Sequence, residues 1–438
     1  MSERLFFRAA GRAMSLLCAA YFVLAAPNVS ASRGDGRDDG WISTWTASAD
    51  RNNNLTTPQS FNASTTIRQV VHLSVGGDRV RVRLTNEFGT TPVTVGPVHI
   101  ALSVGGAKIA PNSDRTLTFG GKTTVTLYAG APILSDPVDI KLPPFADIAV
   151  SCFLPDATQA QTVHQLAVQN AYVSSGDNTA TADQPSPQKY TNRFFLSGVL
   201  IDTDRDTPAV VTFGDSITDG YASTVDANRR WPDDLSQRLN GGSARRSYAV
   251  LNQGISGNRV IKDGSGISAL ARYDRDVLSQ SNVKLVIFLE GINDIGWPQT
   301  VLDPTAGLVP AQDIIDGYKQ IIARTHLRGI KIVGGTLTPF HNALQGTPNQ
   351  GYWTQQKEAI RQTVNAWIRT SRAFDAVVDF DAVLRDPAHP IDIRAVYDSG
   401  DHLHPNDAGY AAMANAVDLS LLYRADDDRD HDHDHDHH

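Results

Sequence analysis

Two hydrophobic periods divide this chain. Across residues 41–205 apolar and polar residues alternate in short runs, the period of a strand with one buried face. In "RVRVRL", Arg79, Arg81 and Arg83 fall on one side and Val80, Val82 and Leu84 on the other. "TIRQVVHLSVGGDRVRVRLTNEFG" reads as two such runs joined at Gly76-Gly77-Asp78, which predicts a hairpin. "RTLTFGGKTTVTLYAGAP" repeats the pattern around Gly120-Gly121, and "ADIAVSCFLP" predicts another strand. Several short strands separated by turns predict an all-β sandwich or jelly roll.

From about Thr207 the pattern changes. "AVVTF", "KLVIFLEG", "KIVGGTL" and "DAVVDF" are short, nearly continuous apolar runs, as strands covered on both faces must be. Helical stretches lie between them. In "AQDIIDGYKQIIARTHLRG", Ile314, Ile315, Tyr318, Ile321 and Ile322 share one face, and Gly329 closes the stretch. "TQQKEAIRQTVNAWIRTS" and "NDAGYAAMANAVDLSLLY" follow the same rule. Strands alternating with helices predict a mostly parallel α/β sheet over residues 206–424, with ligands at the carboxyl ends of its strands.

Both ends of the chain differ from this body. Arg4, Arg8 and Arg12 precede the apolar run "AMSLLCAAYFVLAA", and "VSA" at Val29 to Ala31 offers small residues for cleavage. Residues 1–31 are expected to be a signal peptide, so the mature protein is expected to be exported, periplasmic or extracellular, without stable membrane insertion. The apolar run is shorter than the ~20 residues of a spanning helix. Leu17 before Cys18 argues against lipid attachment. After cleavage Cys152 alone remains, which excludes an intramolecular disulfide, a redox pair and a Cys-rich metal site.

Of the formal charge of −8, the tail 425–438 carries −6 and the leader +2, leaving the body near −4. With no basic patch, nucleic acid is not an expected partner. The tail "HDHDHDHH" alternates metal-binding residue types, but a tract without partner groups elsewhere is expected to bind a metal only adventitiously or to be a disordered, solubilising end. The tail is no ground for expecting a metalloenzyme.

Candidate chemistry gathers at the ends of predicted strands. "AVVTF" runs into Gly-Asp-Ser, placing Ser216 just past a strand. A serine hydroxyl is a weak nucleophile without a base, a group to orient that base, and donors for the oxyanion. "YDSGDHLHPNDAGY" offers Asp401 and His404 one tight turn apart, close enough for the carboxylate to hold Nδ1–H and leave Nε2 for Ser216. "LNQGISGNRV" offers the N–H of Gly254, and "FLEGINDIG" the amide of Asn293. With the N–H of Ser216 these make three candidate donors. Asp215, Asp219 and Asp294 are expected to stabilise turns, and Arg259 to form a structural salt bridge. Trp297, Phe340, His341, Tyr352 and Trp353 fall in loops near the expected mouth, where stacking on substrate and simple packing both remain open.

The four blocks "GDSITDG", "NQGISGN", "GIND" and "DHLHPND", in that order over about two hundred residues, resemble the GDSL or SGNH hydrolases. "TLTPF", "VNAWIR" and "DPAHP" resemble the secreted bacterial XynE-like esterase and arylesterase branch, and "TWTAS" and "RVRVRLTNEFG" extend the similarity into the β region. The resemblance implies a flavodoxin-like three-layer α/β/α hydrolase domain and an ester hydrolase. Ser216 would be nucleophile, His404 base and Asp401 its partner, with Ser216, Gly254 and Asn293 as the oxyanion hole. It implies a small-molecule or polysaccharide ester as substrate and no metal or organic cofactor. A lipase or lysophospholipase, or a non-catalytic carbohydrate-binding protein on the same scaffold, are the alternatives. The block carries His402 where the family commonly has Gly, which puts a second imidazole beside the base.

Overall fold

The computed structural model describes residues 40–53, 57–203, 207–241 and 246–422. The expected signal segment and the Asp/His tail lie outside these.

The α/β domain is built on five parallel strands. Ala209–Gly214 lies between Ala249–Gly254 and Val283–Leu289, followed outward by Lys331–Gly335 and Ala376–Val378. All four pairings are parallel. The chain order across the sheet is therefore 2-1-3-4-5, the flavodoxin-like winding, whose crevice opens beside the first strand at its carboxyl end. Every residue of Ala209–Gly214 is buried, which explains its unbroken apolar run. The helices Ala311–His326 and Gln355–Thr370 cover the sheet as their periodicity predicts, the first burying Ile314, Ile315, Tyr318, Ile321 and Ile322. The fold is the SGNH hydrolase fold, with an antiparallel β-rich region before it.

That β-rich region holds two main antiparallel sheets. One contains Gly40–Thr46, Leu196–Thr203 and Gly77–Thr85; the other contains Ala171–Ser175, Thr65–His72, Asp147–Leu154 and Val98–Leu102. Val80, Val82 and Leu84 are fully buried, while Arg79, Arg81 and Arg83 on the alternate positions are partly exposed.

The predicted hairpin at Gly76-Gly77-Asp78 does not form: Thr65–His72 and Gly77–Thr85 enter different sheets. Thr44 redirects the chain between them, its Oγ1 donating to Val75 O (2.7 Å) and its carbonyl accepting from Ser74 N (3.1 Å) and Ser74 Oγ (2.7 Å). At Gly76 the backbone packs against Leu142 O, where a Cβ would sit only 2.3 Å away. The glycine there permits close approach rather than a hairpin turn. The strands flanking Gly120-Gly121 likewise diverge, Arg115–Leu117 pairing with Val98–Leu102 and Val125–Leu127 with Val93–Val95.

The β-rich region packs directly on the α/β domain, and the described residues form one compact unit. Ser48 Oγ donates to Gln253 Oε1 (2.6 Å), Thr46 Oγ1 to Asn252 O (3.2 Å), and Arg230 Nη1 to Ala167 O (2.9 Å). The single cysteine beyond the leader, Cys152, is buried, and desolvation pushes its thiol up to about 12. Among the described residues no helix is long and apolar enough to cross a membrane.

Candidate active site

Ser216 is the first residue of a one-turn helix, Ser216–Asp219, that begins immediately beyond Ala209–Gly214. Asp215 caps it, its carboxylate accepting from Ile217 N (3.0 Å), as expected of a turn-stabilising acid. Gly220 ends it at φ +101°, a left-handed conformation suited to glycine.

Ser216 Oγ lies 2.8 Å from His404 Nε2, 188 positions away in sequence. His404 Nδ1 lies 2.6 Å from Asp401 Oδ2. A carboxylate only accepts, so Nδ1 carries the hydrogen and the Nε2 lone pair faces the serine hydroxyl. Asp401 Oδ1 accepts from His404 N (2.8 Å), Leu403 N (2.9 Å) and Ser399 Oγ (3.0 Å). Burial opposes its charge, but the His404 side chain and these amides outweigh burial and hold the Asp401 carboxyl well below the usual range. Asn406 caps the helix Asp407–Ala416 just after this loop, accepting from Gly409 N, which fixes where the loop ends. The extra imidazole is turned away: His402 is half-exposed and pairs with Asp398 Oδ2 at 2.6 Å.

Asn293 stands on the helix Ile292–Gly296, just past Val283–Leu289. Its Oδ1 accepts from Tyr352 Oη (2.8 Å) and Trp297 Nε1 (3.0 Å). Both partners donate there, which fixes the orientation of the amide and leaves Nδ2 as the donating end. One Nδ2 hydrogen goes to Asn258 O (2.9 Å); the second remains for a substrate oxygen.

Gly254 does not take the expected role. Its N–H donates to Asn252 Oδ1 (2.9 Å), and a Cβ on it would lie 2.3 Å from Asp219 N. It is a glycine because the second strand crosses the Ser216 helix closely, not because it donates to substrate. The second glycine of the block, Gly257, lies three residues on at φ +79° in the turn closed by Asn258 N to Ile255 O. Among the described residues neither the Gly257 N–H nor the Ser216 N–H meets an acceptor. The turn is held from both sides, by Asn293 on Asn258 O and by Asp219 Oδ2 on Ser256 N (3.0 Å). "GISGN" contains both glycines, and spacing alone does not say which one has a free amide.

The remaining candidates are structural. Asp294 accepts from Val260 N (2.7 Å) and Ile261 N (3.2 Å), and Arg259 pairs with Asp303 (2.7 Å) while lying over the Trp297 ring. Phe340 and Tyr352 are buried against each other, and His341 is bonded to Asp392 and set edge-on to Trp353. An aromatic without a sequence signal, Tyr221, packs against His404 with its ring tilted by 38° and 4.2 Å between centroids, and is 42% exposed.

Arg272 is the largest feature absent from the sequence reading. Fully buried, it donates to Gly214 O (2.9 Å), Gln253 O (2.7 Å), Asn258 Oδ1 (2.8 Å) and Asp276 (3.0 Å), binding the ends of the first two strands together. Glu290, at the end of the third strand, is buried with its nearest Arg272 nitrogen 3.6 Å away. Burial, with the neighbouring Asp215 charge, pushes the Glu290 carboxyl well above its ordinary value. Burial pushes Asp294 up to about 6. Among the described residues no cluster of three or more His, Cys, Asp or Glu side chains is placed to hold a metal ion.

A comparison with curated proteins finds no match. Solved structures similar to this chain include a native aryl esterase from M. smegmatis, at 18% identity over 50% of this chain and 99% of that one, TM-score 0.39. A carbohydrate acetylesterase from Sinorhizobium meliloti matches at 15% identity over 50% and 99%, TM-score 0.37. A GDSL-like lipase from Bacteroides thetaiotaomicron matches at 19% identity over 50% and 88%, TM-score 0.35. Residues 212–412 match the GDSL-like lipase/acylhydrolase family, a stretch that begins within the first parallel strand, ends in the last helix and contains Ser216, Asn293, Asp401 and His404. Over this α/β domain the chain is therefore similar to the GDSL-like lipase/acylhydrolase family.

Proposed function

We propose that this protein is an exported serine esterase, of the XynE-like secreted branch, that hydrolyses small carboxylic esters, acetyl or aryl, including acyl groups carried on polysaccharide. One observation carries the reading: the unbroken relay from Ser216 Oγ through His404 to Asp401, at 2.8 and 2.6 Å. Ser216 Oγ attacks the ester carbonyl carbon as His404 Nε2 takes its proton. The tetrahedral oxyanion accepts from the N–H groups of Ser216 and Gly257 and from Asn293 Nδ2. His404 then returns the proton to the leaving alcohol, and water, deprotonated by the same nitrogen, releases the acid. Asp401 holds the ring in the required tautomer and stabilises the imidazolium.

The loops support small substrates. Between Ile292–Gly296 and Ala311–His326, and between Lys331–Gly335 and Gln355–Thr370, the chain contains no helix able to present an apolar lid. Phe340 and Tyr352 are buried in packing rather than open to a long acyl chain. The acyl-length test uses p-nitrophenyl acetate, butyrate and palmitate. Acetate and butyrate are expected to be the better substrates by kcat/KM. A palmitate preference makes the protein a lipase, and no hydrolysis of any ester supports a non-catalytic carbohydrate-binding protein.

Asn293→Ala is expected to lower kcat on p-nitrophenyl acetate by about 10²–10³ with little change in KM, since its donor acts chiefly on the transition state. A change confined to KM in steady-state kinetics contradicts that role.

A further inference from the structure

His164 comes from the β-rich region, on the strand Thr162–His164, and is buried. Its Nδ1 lies 3.0 Å from Ser48 O, and its Nε2 lies 2.9 Å from both Asp219 Oδ1 and Leu166 O. Carbonyls and carboxylates offer only lone pairs, so both ring nitrogens carry hydrogen and the ring is an imidazolium. The other oxygen of the same carboxylate, Asp219 Oδ2, accepts from Ser256 N at 3.0 Å. Asp219 is the last residue of the helix that Ser216 begins, and Ser256 directly precedes Gly257. One carboxylate thus joins the β-rich region, the nucleophile helix and the turn bearing a candidate oxyanion donor.

We propose that His164 is a positioning residue for the esterase reaction: its imidazolium holds Asp219 so that the carboxylate clamps the Gly257 turn against the Ser216 helix and sets the spacing of the two backbone oxyanion donors. The inference rests on the esterase reading above, and it gives the β-rich region a part in catalysis without contact with substrate. A buried ion pair contributes little net stability compared with apolar packing, but it fixes one arrangement of the elements it joins. Two backbone amides aimed at one oxygen need such fixing, because a misplacement of about 1 Å costs roughly a hundredfold in rate.

The charged and titratable groups around His164 are Asp219, Asp50 on the adjacent strand and Arg193 opposite it in register, with His72, Arg230 and Asp233 across a small cavity. Desolvation alone would push the imidazole down; the charge and hydrogen bond of Asp219 outweigh it and hold it above the ordinary value. A raised imidazole keeps the clamp intact below the ordinary histidine range. The clamp is lost as pH rises through the raised, folded-state value.

The test combines kinetics and hydrogen exchange on the full chain. His164→Gln is expected to lower kcat on p-nitrophenyl acetate roughly ten- to a hundredfold with KM within about threefold, and to lack the alkaline fall in kcat expected of the wild type. A fall caused by Arg193 would persist in the variant. The amides of residues 254–258 are expected to exchange faster in His164→Gln than in the wild type. Asp219→Asn, which keeps His164, serves where the first variant does not fold, and is expected to show the same kcat loss and faster exchange. A wild-type kcat and pH profile in His164→Gln, a loss confined to KM or to thermal stability, or unchanged exchange at residues 254–258 overturns the proposal. A wild type without Ser216-dependent hydrolysis overturns the esterase reading instead, and the exchange measurement still decides whether the clamp exists.

Discussion

Ser216→Ala is expected to lower kcat on p-nitrophenyl acetate by about 10⁴–10⁶ while the protein folds and melts nearly as the wild type does. The hydroxyl is the only atom of this side chain that reacts, and nothing adjacent is placed to replace it: Asp215 spends its carboxylate on capping Ile217, and Thr218 lies buried. The structural cost is small because the substitution removes one hydrogen bond, to His404, worth about 1 kcal/mol. A fluorophosphonate probe supplies the second reading. The serine oxygen bonds to phosphorus as fluoride leaves, so intact mass rises by one adduct in the wild type and stays unchanged in the variant. A variant that retains activity and labelling places the nucleophile elsewhere and removes the relay from the mechanism.

Asp401→Asn carries the second largest expected effect, a loss of about 10⁴ in kcat with the backbone unaltered. In the wild type Asp401 Oδ1 accepts from the amides of Leu403 and His404, and Oδ2 accepts from His404 Nδ1. An asparagine has one accepting oxygen. If that oxygen stays on the two amides, Nδ2–H of the asparagine faces His404 Nδ1, which must then be the bare nitrogen. The hydrogen moves to Nε2, where it meets Ser216 Oγ, and the ring no longer accepts the serine proton. The steady-state rate, with a melting temperature near that of the wild type, tests this tautomer argument. A loss of only a few fold shows that His404 keeps its working tautomer without the carboxylate.

The Asp401–His404 pairing shows where local sequence suffices. Asp401 and His404 lie within one turn, and a D-x-x-H spacing brings a carboxylate to Nδ1 with little help from the rest of the fold. His402, standing where the resemblance leads one to expect glycine, is drawn off by Asp398 four residues earlier, another local contact. The parallel strands were legible for a related reason. Burial on both faces imposes an unbroken apolar run, so "AVVTF" and "KLVIFLEG" announce themselves without knowledge of their neighbours.

Long-range contacts decided the rest. The two runs around Gly76-Gly77-Asp78 carry a hairpin pattern, yet Thr44, some thirty residues away, sends them into different sheets. Gly254 and Gly257 share one short block, and their roles depend on whether each amide meets an acceptor. The Asn252 side chain settles that for Gly254. Arg272 and His164 gave no signal, because an arginine or histidine in a strand-rich or helical stretch is ordinary until the fold buries it beside a carboxylate.

By itself, then, the sequence determined the periods of its elements, the order of its four blocks and the candidates for nucleophile, base and orienting acid, since each is marked by its own neighbours in the chain. Tertiary structure alone decided which sheet each β strand joined, which glycine kept a free N–H, and that an imidazole of the β-rich region meets the nucleophile helix. Each of those depends on a donor and an acceptor brought together from distant parts of the chain, and hydrophobic periodicity carries no record of such pairs.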